Sequence, residues 1–173
     1  MNAVDNKKNT PARKVAYTGI LAACSIMALF LATVLPTNRI FFYGLSSLFV
    51  SIVVLEFGTG VGVTFYTATS LLALMLIPNK IKLIPYFFIL GHYGIWKVFI
   101  DKHPSFILKT LLKLLILNLG TIVTYHIVSG LFINIILPFD IKLIFLGLQI
   151  LFLIYDYAFN VFISFYLERI RKN

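Results

Sequence analysis

Residues 15–38 carry no Asp, Glu, Lys or Arg, and similar uncharged apolar runs follow one another almost to the end of the chain. A helix of about 20 apolar residues crosses the hydrocarbon core of a bilayer. Pro36 stops the first run, which predicts a helix over residues 15–35. Further helices are predicted over 42–57, 60–77, 83–100, 106–137 and 141–167. Gly58, Gly60 and Gly62 beside Glu56 suit a tight turn, and Pro78-Asn79 breaks the chain again. Asp101-Lys102-His103-Pro104-Ser105 forms a polar turn, and Pro138 ends the fifth helix.

Six such helices use about 120 residues. Of the chain's 173 residues, 60% are hydrophobic and 12% charged, whereas soluble domains average about 25% charged. A soluble enzyme, a disordered tail and a nucleic-acid-binding domain are excluded. The expected fold is an all-α integral membrane protein. A basic segment (1–14) precedes the six-helix membrane domain (15–167), and a basic tail (168–173) follows it. The first run is longer than the about 7–15 residues of a signal-peptide core, so a retained first helix is expected.

Basic residues then orient the bundle, since cytoplasmic loops are enriched in Lys and Arg. With a cytoplasmic N-terminus, that side holds Lys7, Lys8, Arg13, Lys14, Lys97, Lys102, Lys109, Lys113, Arg169, Arg171 and Lys172. The outer side keeps Arg39, Lys80, Lys82 and Lys142. Both termini are therefore expected in the cytoplasm. The net charge of +9 becomes an orientation signal and implies no nucleic-acid partner. Lys109 and Lys113, one turn apart, either lie at the membrane surface or snorkel toward it.

Small residues mark two faces of the first helix. Ala12, Ala16, Gly19 and Ala23 form one stripe, and Ala28 and Ala32 pair on another face. Small residues let helices approach closely in lipid, so each face suits either internal packing or docking of a separate membrane partner. The lone Cys24 has no disulfide partner.

Polar groups inside the spans are costly in hydrocarbon and so are informative. The sixth helix places Gln149, Asp156 and Asn160 on one face; the fifth carries Asn118, Tyr125, His126 and Asn134; the fourth carries Tyr86, His92, Tyr93 and Trp96. A charged aspartate near mid-bilayer costs about 2.5–3.5 kcal/mol on insertion scales, so Asp156 should face the bundle interior. His92 and His126 are its expected partners. This constellation reads either as a buried packing network or as part of a cavity for a small polar or aromatic ligand. In the first outer loop, Asn38 and Arg39 together offer donors for a carboxylate or phosphate.

Catalytic motifs, cofactor motifs and a nucleotide site are missing from the sequence, and His92, His103 and His126 lack metal-ligand spacing. Any transport must draw its energy from a partner or an ion gradient.

The chain resembles the substrate-binding S component of an energy-coupling factor (ECF) transporter. The likeness rests on the six helices, the small-residue first helix after a basic N-terminus, and the loop Leu35-Pro36-Thr37-Asn38-Arg39. It extends to the turn Glu56-Phe57-Gly58-Thr59-Gly60-Val61-Gly62 and the basic C-terminal tail. The resemblance implies a multi-pass protein of a bacterial plasma membrane that captures a vitamin-like solute or other micronutrient outside. It also implies a transmembrane coupling subunit and ATPase subunits as partners. An A-x-x-x-A motif docks the coupling subunit in that family. Ala28 and Ala32 match its letters, while Gly19 and Ala23, with Ala16, match its depth. The implied substrate site comprises Asn38, Arg39, Tyr86, His126, Asn134 and Gln149, with His92 and Asp156 deeper. The alternatives are a scaffold resembling the rod-shape protein MreD and a small gradient-driven transporter in which Asp156 and a histidine relay protons.

Overall fold

The computed structural model describes residues 10–131 and 141–171. Asn134 and the far end of the predicted fifth span, 132–137, lie outside them. Among the described residues all regular structure is helical, and six helices are long and apolar enough to cross a membrane. The chain is an all-α, multi-pass membrane protein.

The spans begin with α1 (Pro11–Val34), α2 (Arg39–Phe57) and α3 (Thr59–Leu76). Pro11 opens α1 at the position where a missing N–H costs no hydrogen bond. The fourth span, Lys80–Ile100, is composite. A 3-10 turn (Lys80–Leu83), a π-helical turn (Tyr86–Leu90) and α4 (Tyr93–Ile100) succeed one another. Pro85, which lacks an N–H, directly precedes the π turn. α5 (Phe106–Leu131) and α6 (Ile141–Phe165) complete the bundle, and a second π turn (Tyr166–Arg171) prolongs α6.

The predicted glycine turn divides its labour. Gly58 sits at φ 87°, a left-handed conformation that side chains disfavour, and its N–H closes α2 on the Val54 carbonyl. Gly62 serves packing instead, since a Cβ there would lie 2.1 Å from Val54 Cγ2.

Lipid is as apolar as leucine, so close approach and interhelical hydrogen bonds must hold these helices together. Ser25 of α1 and Ser46 of α2 share a buried 2.6 Å hydrogen bond, and Ser46 donates in turn to Tyr86 of the fourth span. A Cβ on Gly94 would meet Ser51 Oγ at 2.4 Å, which places α4 directly against α2. At Gly120, α5 touches the π turn so closely that a Cβ would lie 2.1 Å from the Phe88 carbonyl oxygen. Around these contacts, Leu29, Ala32, Tyr43, Ala73, Leu83 and Tyr86 knit the first four spans into one core. Tyr93, Leu117, Phe152 and Phe159 join α4, α5 and α6 into another.

Arg39 and Lys82 mark one end of the bundle. At the opposite end, Tyr166 donates to Glu56 and shares a hydrogen bond with Tyr17, tying α6's extension to α2 and α1. These are the Arg39 end and the Asp101 end below.

The two small-residue faces of α1 have different surroundings. Ala28 and Ala32 are 3% and 0% exposed and belong to the chain's own core. Ala12, Ala16, Gly19 and Ala23 are exposed, with no atom within 4 Å of a Cβ built on Gly19.

Candidate functional site

Toward the Arg39 end, α2, the fourth span, α5 and α6 diverge around a cavity of about 450 Å³. That volume falls within the ~300–1,000 Å³ of small-molecule sites. Its walls are aliphatic and aromatic, among them Ile89, Leu117, Leu148, Phe152 and Tyr155, with Tyr43 beside them. Arg39 and Lys82 supply its charged groups. Lys82 lies on the 3-10 turn, and its Nζ donates to the Thr33 carbonyl at the end of α1 at 2.9 Å. Tyr43 locks the same turn by donating to the Lys82 carbonyl. Arg39 is the first residue of α2, so its side chain projects from a fixed helical start. Its Nε is buried and has no hydrogen-bond partner.

Tyr155 forms the cavity floor. Its ring lies over Gly44, where a Cβ would come within 2.6 Å of it, so only glycine leaves room for the ring. Beneath it Tyr93 packs against Tyr155, Phe152 and Phe159 at centroid separations of 5.8, 5.1 and 5.7 Å.

Tyr93 connects this aromatic floor to a cluster of charges. Its hydroxyl donates to Asp156 Oδ1 at 2.5 Å. Asp156 also receives Lys97 Nζ at 2.5 Å and Lys113 Nζ at 2.9 Å. Both lysines reach Asp101 as well, at 3.1 and 2.8 Å. Two lysines and two aspartates thus form a closed, formally neutral quartet across α4, α5 and α6. Lys97 and Lys113 are buried, 3% and 7% exposed. A smaller cavity of about 300 Å³, lined by Ser51, Lys97, Asp101 and Phe159, adjoins the quartet.

The sequence-predicted residues disperse relative to this geometry. Arg39 lines the cavity, and Asn38 is exposed one residue before it. Tyr86 is fully buried in the core, receiving the Ser46 hydroxyl rather than facing the cavity. His92 packs edge-to-face with Tyr66, with Nδ1 3.1 Å from the Phe87 carbonyl, which also accepts from the Tyr66 hydroxyl. His126 is exposed on α5 beside Tyr125. Gln149 donates to Asn118 at 2.5 Å, joining α6 to α5. Asn134 lies outside the described residues.

The expected pairing of Asp156 with His92 or His126 is replaced by pairing with Lys97 and Lys113. Lys113 also departs from the expectation of a surface or snorkelling lysine. It lies seven residues beyond the α5 start at Phe106, about 10 Å along the axis at 1.5 Å per residue. At that depth a carboxylate is a better partner than a long reach to water. Sequence reasoning also missed Lys82, Tyr43 and Tyr155. The signal for the quartet was present, in that lysines well inside apolar runs require an acid and Asp156 is the acid at mid-span.

The chain matches no protein-family profile, no curated protein and no solved structure.

Proposed function

We propose that the chain is the substrate-binding subunit of an ECF-type uptake transporter, capturing a small solute outside the cell for delivery with a coupling subunit and ATPases. The observation that carries this reading is the cavity between α2, the fourth span, α5 and α6. It is large enough for a metabolite, mostly apolar, and set at the end that the distribution of basic residues assigns to the outside. A pure scaffold has no use for such a space. Asp156 is charge-paired within the quartet, which favours a structural role for it over a proton relay.

The exposed stripe Ala12, Ala16, Gly19 and Ala23 supplies the docking surface in this reading, because Ala28 and Ala32 are already occupied by the chain's own core. Gly19→Leu or Ala23→Leu is expected to abolish co-purification of the coupling and ATPase subunits. The isolated protein should still fold, since Gly19 faces open space. Unchanged co-purification of the variants removes the docking role from this face. Tagged wild-type protein that brings down no ATPase and carries no small molecule by mass spectrometry returns the chain to the scaffold alternative.

A further inference from the structure

We propose that the solute taken by this cavity is an anion with an apolar body, a carboxylate or phosphate whose negative group sits between Arg39 and Lys82. The inference deepens the capture reading above and rests on it.

Three observations converge. First, both charged groups of the cavity are cations, and the rest of its lining is almost entirely aliphatic or aromatic. A neutral apolar solute would leave Arg39 desolvated for no return, and a cationic one would be repelled. Second, the Arg39 Nε–H is buried without a partner. Nε is covered by the protein itself, so an anion would be met by the terminal N–H groups of this permanently charged side chain, which is only partly buried overall. Lys82 spends one N–H on the Thr33 carbonyl and keeps the others for a ligand.

Third, none of the described acids lines the cavity. Of the six acidic residues, Asp5 and Asp140 lie outside the described residues. Of the remaining four, Glu56, Asp101 and Glu168 stand at the Asp101 end, and Asp156, at mid-span, is consumed with Asp101 by the quartet. Among the described residues no carboxylate stands at the Arg39 end to neutralise the cavity's cations. A guanidinium and an ammonium lining one low-dielectric cavity select carboxylate or phosphate oxygens through charge-assisted hydrogen bonds. The apolar walls account for the remainder of the solute.

The test uses full-length protein in phosphatidylcholine nanodiscs, with 4-phenylbutyrate and its uncharged amide as matched probes and empty nanodiscs as the background. The acid is expected to bind at least about tenfold more tightly than the amide. Arg39→Gln should erase that preference, while Arg39→Lys, which keeps the charge, should retain part of it. Unfolding midpoints of all variants separate lost binding from lost fold. Adding phosphatidylglycerol distinguishes the sources of the anion. Displacement of 4-phenylbutyrate by that lipid assigns the site to a lipid headgroup and overturns solute capture, whereas no displacement supports a soluble anion.

Equal binding of acid and amide overturns the anionic class and leaves capture standing. So does recovery of a neutral or cationic molecule carried through purification. If no probe binds and nothing is carried, the capture reading falls as well.

Discussion

Asp156→Ala is expected to destabilise the bundle by about 3–5 kcal/mol, the usual penalty for removing one partner of a buried ion pair. The loss goes beyond a single contact. Lys97 and Lys113 both lean on this carboxylate at 2.5 and 2.9 Å, and both are buried. Asp101 remains, but its side chain is 36% exposed, so it offers a weaker, more solvated counter-charge to two ammonium groups. Asp156→Asn should lie between wild type and alanine, because the amide oxygen can still accept from Tyr93 while the charge is lost. Combining Asp156→Leu with Lys97→Met and Lys113→Met should recover most of the stability, as apolar replacements of whole buried charge clusters do elsewhere. Denaturant unfolding in detergent measures all three. A change below about 0.5 kcal/mol for Asp156→Ala, the size typical of surface substitutions, would remove the quartet from the structural account.

Gly120→Val is expected to be comparably severe, at about 3 kcal/mol or more, beyond the usual range for overpacking. The new Cβ would sit 2.1 Å from the Phe88 carbonyl oxygen and 3.0 Å from its carbon. Those are backbone atoms of the π turn, and backbone cannot rotate aside as a side chain does. Relief requires α5 to withdraw, which opens the wall that Leu117 forms in the larger cavity. Gly130→Val supplies the control on the same helix, because nothing lies within 4 Å of a Cβ there. Equal unfolding midpoints for the two variants would refute the close approach.

The spans were legible because an uncharged run reports on its own residues. Each predicted boundary through residue 77 falls within four residues of the observed one. The composite fourth span was not legible in detail. Pro85 announces a disturbance, yet whether the chain answers with a kink or a π turn depends on Gly120 and Tyr66, which lie elsewhere in the sequence. Site residues divide on the same principle. Arg39 was identifiable from its place after a proline turn. Lys82 was not, because an outer-loop lysine and a cavity lysine share one local sequence. Lys97 and Lys113 look peripheral from their local sequence but are buried, since their setting is fixed by an aspartate 59 and 43 residues away.

That separation also orders how the protein must be made. Lys97 leaves the ribosome first, then Asp101, then Lys113, and Asp156 emerges last. At about 5–20 residues per second, Lys97 waits several seconds for the carboxylate 59 residues behind it. From the emergence of Lys113 until that of Asp156, 43 residues later, the nascent fourth and fifth helices carry one more buried-bound cation than anion. Arrival of α6 is therefore the step that cancels their excess charge, and a translation product cut off before Asp156 presents the membrane-quality machinery with an unneutralised lysine.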